Sequence, residues 1–97
     1  MKAIKIEDHI DGQYYSVLVK NKKIEVWMDI SIEHGDVDCD WNQYIFFQDN
    51  IEDMKIKKFQ ENSDNFEKVS DVAVDALEKY NKIQQLDDGS WIDLRQF

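Results

Sequence analysis

Proline is absent from the chain, and glycine occurs only at positions 12, 35 and 89. With neither a proline-rich arm nor a glycine-rich linker, the sequence offers no point of division, and residues 1–97 are read as one domain. The same scarcity excludes a Walker loop, a dinucleotide fingerprint and a G-x-S-x-G elbow, each of which needs closely spaced glycines. The single cysteine, Cys39, cannot close an internal disulfide, which agrees with a reducing compartment. It stands between Asp38 and Asp40, whose charges disfavour a thiolate nucleophile. His9 and His34 are isolated, and His34 with Cys39 and the nearby aspartates lacks the paired spacing of zinc ligands. Asp36, Asp38 and Asp40 match the first three ligands of an EF-hand loop, but Trp41 replaces the required glycine and Phe47 the bidentate glutamate. The expectation is a non-enzyme without catalytic residues, metal, cofactor or small-molecule ligand. No apolar run approaches the roughly 20 residues of a membrane span. Glu7 and Asp8 follow the first residues at once, leaving no signal-peptide core, so a cytosolic protein is expected.

Positive charge is missing from the middle of the chain. Between Ile24 and Met54 there is no lysine or arginine, against nine carboxylates: Glu25, Asp29, Glu33, Asp36, Asp38, Asp40, Asp49, Glu52 and Asp53. Lys20, Lys22 and Lys23 precede this stretch and Lys55, Lys57 and Lys58 follow it. A second acidic block from Phe59 to Glu78 contains only Lys68 as a cation, and the net charge is -9. Such a surface repels nucleic acid and anionic membranes, both polyanions, and attracts a basic protein partner.

What is present is enough apolar material to fold: 42% hydrophobic and 12% aromatic residues. Period-two alternation predicts strands over residues 2–7, 13–20 and 23–30, with turn signals at Asp11-Gly12 and Asn21-Lys22-Lys23. Further strands are expected at 43–48 and 91–95, with a short helical or irregular segment over 49–59. Phe66, Val69, Ala73, Leu77, Tyr80, Ile83 and Leu86 recur every three or four residues and predict a long amphipathic helix over 64–86. Ser63 is its expected N-cap, and Asp87-Asp88-Gly89 its expected end. The fold class is therefore α+β, a small antiparallel sheet packed against one long C-terminal helix.

Two acidic arrays are candidate contact surfaces. On the helix Asp64, Glu67, Asp71, Asp75 and Glu78 form one stripe, and the like charges at four-residue spacing cost about 0.2–0.5 kcal/mol each. Pairs Asp64/Lys68, Asp75/Lys79 and Glu78/Lys82 would relieve that repulsion and leave an ordinary solvated face. In an extended chain Asp36, Asp38 and Asp40 fall on one side, about 6.6 Å apart. Glu25 and Asp29 share a strand face with Trp27, a candidate aromatic anchor.

Taken together, the opening MKAIKIEDHIDGQYYSVLVK, the length, the absence of proline and the segments IEVWMDISIEHGDVDCDWN and DNFEKVSDVAVDALEKY resemble the small phage-encoded anti-CRISPR proteins that inhibit the type I-F surveillance complex as DNA mimics. That family is diverse and has no catalytic signature, so no site residue carries over by position. The resemblance implies a protein of the bacterial host cytoplasm. It would occupy the lysine-rich cleft that receives double-stranded DNA, near the large and Cas5-type subunits, with carboxylates in place of phosphates. An immunity-type inhibitor of a basic nuclease and a non-inhibitory acidic interaction module are the competing classes.

Overall fold

The alternating segments of the first third form an antiparallel meander of four strands, β1 (Lys2–His9), β2 (Tyr14–Lys20), β3 (Glu25–Glu33) and β4 (Asp36–Trp41), paired in chain order. The computed structural model describes residues 1–22, 25–42 and 58–95. Tyr15, Val17 and Val19 of β2 and Val26, Met28 and Ile30 of β3 all point to one face and are buried. Helix α1 (Ser63–Lys79) covers that face with Val69, Ala73, Ala76 and Leu77, the alanines letting the helix approach the sheet closely. Each fully buried aliphatic side chain contributes about 1.5–3 kcal/mol. The result is the expected α+β arrangement, a four-stranded sheet on one long helix. Among the described residues no helix is long and apolar enough to cross a membrane.

Two strands run past their expected ends, β1 to His9 and β3 to Glu33, while β2 begins one residue later than expected, at Tyr14. The segment around Asp36, Asp38 and Asp40, read from the sequence only as extended, is strand β4 of the sheet. The cause lies in the connection, where His34 (φ 54°) and Gly35 (φ 82°) both take the left-handed conformation of a tight two-residue hairpin and return the chain along β3. The strand expected at 43–48 and most of the segment 49–59 lie outside the described residues.

The helix is shorter than its apolar period. Asn62, one residue before the expected cap, accepts hydrogen bonds from the backbone N–H of Asp64 (2.9 Å) and Asn65 (3.4 Å). At the other end Asn81 adopts φ 58°, its N–H donates to the Glu78 carbonyl, and the Lys82 N–H donates to the Leu77 carbonyl. This paired closure terminates the helix at Lys79 rather than Leu86. Ile83 keeps the helical period in sequence but reaches the core from a strand, β5 (Ile83–Gln85), while Leu86 is exposed. Asp87-Asp88-Gly89 is thus a hairpin turn, closed by Gly89 N–H to the Leu86 carbonyl, with Gly89 at φ 89°. It leads to β6 (Trp91–Asp93), which pairs with β5 as a separate two-stranded sheet and ends two residues before the expected limit.

A latch ties this hairpin to β2. The Arg95 guanidinium lies 3.7 Å from the centre of the Tyr15 ring, donates to both Asp93 carboxylate oxygens, and donates through Nη1 to the Tyr14 carbonyl at 3.0 Å. The Tyr15 hydroxyl donates to Asp93 Oδ1 (2.9 Å) and the Lys82 carbonyl (3.1 Å). Burial, then Asp93, push the Tyr15 phenol above its ordinary range. Burial acts to raise Asp93 as well, but the hydrogen bonds from Arg95 and Tyr15 outweigh it and hold the carboxyl below its usual value.

Candidate partner-binding surface

Because side chains alternate along a strand, burying Val26, Met28 and Ile30 turns Glu25, Trp27, Asp29, Ser31 and Glu33 to the face away from α1. The register of β4 adds its own set: Asp40 opposite Asp29, Asp38 opposite Ser31, and Asp36 opposite Glu33. Six carboxylates therefore share the β3–β4 half of the open face. Asp36, Asp38 and Asp40 are exposed, and Asp29, Glu33, Asp38 and Asp40 line a shallow depression with Tyr14 and Ser31. Like charges directly opposite on neighbouring strands oppose folding, so this grouping is not explained by stability.

Asp29 is the most fixed member. Its Oδ1 accepts hydrogen bonds from Ser16 Oγ (2.7 Å) and Asn42 Nδ2 (2.9 Å). His9 Nε2 lies 3.0 Å from the same Ser16 Oγ, and its ring stacks on Tyr14 with centroids 4.3 Å apart. The serine proton is committed to Asp29, so the bond from His9 runs from Nε2–H to the hydroxyl oxygen. The order carboxylate, hydroxyl, imidazole differs from a nucleophilic triad, where the imidazole lies between the other two and takes the hydroxyl proton. The arrangement positions the Asp29 carboxylate.

Trp27 shares this face, half-buried opposite Leu18, and Glu25 is held by Lys20 at 3.3 Å. Elsewhere Lys5 pairs with Glu7 at 3.2 Å and Lys82 with Asp8 at 3.1 Å. None of the ion pairs among the described residues includes Asp36, Asp38, Asp40, Asp64, Glu67, Asp71, Asp75 or Glu78. The expected relief of the helix stripe by Lys68, Lys79 and Lys82 is therefore not seen: Lys82 goes to Asp8, and Lys79 sits 5.8 Å from the Tyr80 ring centre.

The helix stripe does not join the open face. Asp64, Glu67, Asp71, Asp75 and Glu78 are all exposed, but α1 packs on the opposite side of the sheet. Asp71, Asp75 and Glu78 line a groove with Val37, Cys39, Ser70, Val74 and Trp91, that is, along the inward-facing side chains of β4. The two sets thus flank the same edge strand from its two faces. Asp64 lies in the first helical turn, where a carboxylate complements the helix dipole. Between the sets the half-buried Cys39 thiol is pushed up above all by burial; a side-chain hydrogen bond with Ser70 opposes the rise, and Asp38, Asp40 and Asp71 add to it.

Sequence reasoning missed the His9–Ser16–Asp29–Asn42 chain and the role of β4. The second was within reach, since Asp36-Val37-Asp38-Cys39-Asp40-Trp41 alternates as strictly as β3 and follows a glycine-containing pair. No protein-family model, curated protein or solved structure matches the chain.

Proposed function

We propose that this protein is an inhibitor that binds a basic, DNA-receiving surface of a partner protein, its carboxylates taking the places of phosphates. The resemblance in sequence names the type I-F CRISPR surveillance complex, at its large and Cas5-type subunits, as the target. The observation that carries the reading is the gathering of Glu25, Asp29, Glu33, Asp36, Asp38 and Asp40 on the β3–β4 half of the open sheet face, mostly without neutralising cations. Successive aspartates of β4 are about 6.6 Å apart, near two 3.4 Å phosphate rises of a duplex strand, so the row supplies about one carboxylate for every two phosphates. Charge-assisted hydrogen bonds from lysine and arginine form as well with fixed carboxylates as with phosphates, and no turnover is required.

The placement of Asp71, Asp75 and Glu78 on the other side of β4 also favours a second reading. A surface divided by a strand edge does not follow a duplex, and it suits an immunity-type inhibitor of a basic nuclease equally well. The test is titration of the purified protein into a type I-F surveillance complex, with binding of double-stranded target DNA measured at low and at physiological salt. Loss of DNA binding, weaker at the higher salt, is expected. Absence of association at low salt rejects this target. Comparing the reversal pair Asp38→Lys/Asp40→Lys with Asp71→Lys/Asp75→Lys then identifies the contacting set.

A further inference from the structure

We infer that the outer edge of β4 is a docking site for an extended, lysine- or arginine-bearing segment of the partner, which adds to the sheet as a fifth strand. The inference rests on the cationic-partner reading above and deepens it by naming the form of the contact. In the two-residue hairpin, Glu33 and Asp36 are the first hydrogen-bonded pair, so Asp38 bonds with Ser31 and Asp40 with Asp29. The Asn42 N–H bond to the Trp27 carbonyl, at 3.0 Å, continues the same series. The N–H and C=O groups of Val37, Cys39 and Trp41 therefore point away from β3, and among the described residues none supplies them with a backbone partner.

Sheet edges are ordinarily blunted by bulges, charged side chains or proline. The opposite edge is: β1 carries Lys2 and Lys5 and a register irregularity between Ala3 and Lys5. Strand β4 has no bulge and no lysine, and the charges that guard it are all negative, a barrier to another acidic strand but not to a basic one. Its edge carries charge of a single sign, with Asp36, Asp38 and Asp40 on one face and Asp71, Asp75 and Glu78 walling the groove on the other. A second copy of this chain would bring carboxylates against carboxylates and is repelled. A basic strand meets opposite charge on both sides, while its alternate apolar side chains face Val37, Val74 and Trp91.

The test uses the full chain and two short peptides of alternating lysine and valine, one unmodified and one N-methylated at the alternate amides that would pair with β4. Affinity is measured by calorimetry, and backbone amides are followed by hydrogen exchange. The expected result is binding of the unmodified peptide, at least about tenfold weaker binding of the methylated one, and new protection of the Val37, Cys39 and Trp41 amides. Equal binding of both peptides overturns strand addition and leaves the cationic-partner reading standing. Binding of neither overturns both. Protection of the Val37 and Cys39 amides in the free protein shows the edge already closed and also overturns the inference.

Discussion

Replacing Asp36, Asp38 and Asp40 together by asparagine should make the protein more stable. Two cross-strand contacts decide the magnitude, Asp29 opposite Asp40 and Glu33 opposite Asp36, because folding creates them. The spacings from Asp36 to Asp38 and from Asp38 to Asp40 survive in the unfolded chain and largely cancel. Hydrogen-bonded cross-strand neighbours have Cβ atoms about 5.5 Å apart. Two charges about 6 Å apart in water repel by about 0.7 kcal/mol, so the two contacts give about 1.4 kcal/mol at low salt. Screening over a Debye length of about 8 Å reduces the sum to roughly 0.7 kcal/mol at physiological ionic strength. For a domain of this size that is a rise in Tm of roughly 5–10 °C at low salt and about half as much at 0.15 M. Thermal melts followed by circular dichroism at the two salt concentrations measure it. Equal stability, a less stable variant or a salt-independent difference would refute the electrostatic account of this face. A variant that gains stability and loses its partner would show that the acids are kept for binding at a cost to the fold.

The latch and the thiol give further tests. Arg95→Ala leaves Asp93 without its cation and the Tyr15 ring uncovered, and urea unfolding should show a loss of about 3 kcal/mol. Because Asp93 titrates below its ordinary value of 3.8 in the folded protein, its contribution is complete above about pH 4 and disappears as pH falls through the folded value. The acid limb of the stability profile should flatten in Asp93→Asn. Tyr15 has the opposite sign: with its phenol raised above 10.0, its contribution is complete below about pH 10 and falls as pH rises, a loss that Tyr15→Phe should not show. Cys39 should react with iodoacetamide at pH 8 more slowly than in urea-unfolded protein, and faster again in Asp71→Asn; equal folded and unfolded rates would contradict its burial among carboxylates.

How far the fold was legible follows from where each contact partner sits in the chain. Strands β1 to β3 announce themselves because Val17/Val19 and Val26/Met28/Ile30 alternate with polar residues and each turn is local. Strand β4 was obscured because one face is entirely aspartate, a residue depleted in strands. The helix end was misplaced because Ile83 obeys a helical period while being buried from a strand, and the signal that stops the helix is the single left-handed Asn81. The latch had no sequence signature. Tyr15 meets Lys82 across 67 positions and Arg95 meets Tyr14 across 81, so only tertiary folding brings them together. For the candidate site, membership was legible but grouping was not: the candidates carry or accompany charge, yet only the packing of the helix on one face of the sheet separates the β3–β4 set from the helix set.

That separation bears on how an acidic surface achieves affinity. A flexible acidic tail could supply as many carboxylates, but binding would have to order it, at about 0.5–1.5 kcal/mol for each immobilised side chain. Here the backbone of every candidate carboxylate is fixed by strand or helix, and Asp29 is further held by Ser16 and Asn42. Among the described residues no ion pair reaches the aspartates of β4, so that edge presents uncompensated negative charge to a basic surface. Such charge acts on the association rate and fixed geometry on dissociation. Neutralising Asp38 should therefore slow association and reduce its salt dependence, whereas Ser16→Ala, which removes one of the two hydrogen bonds on Asp29 Oδ1 without changing charge, should hasten dissociation alone. Surface plasmon resonance against the captured partner separates the two rates. A slower association in Ser16→Ala, or an unchanged one in Asp38→Asn, would show that steering and preorganisation are not divided between these residues.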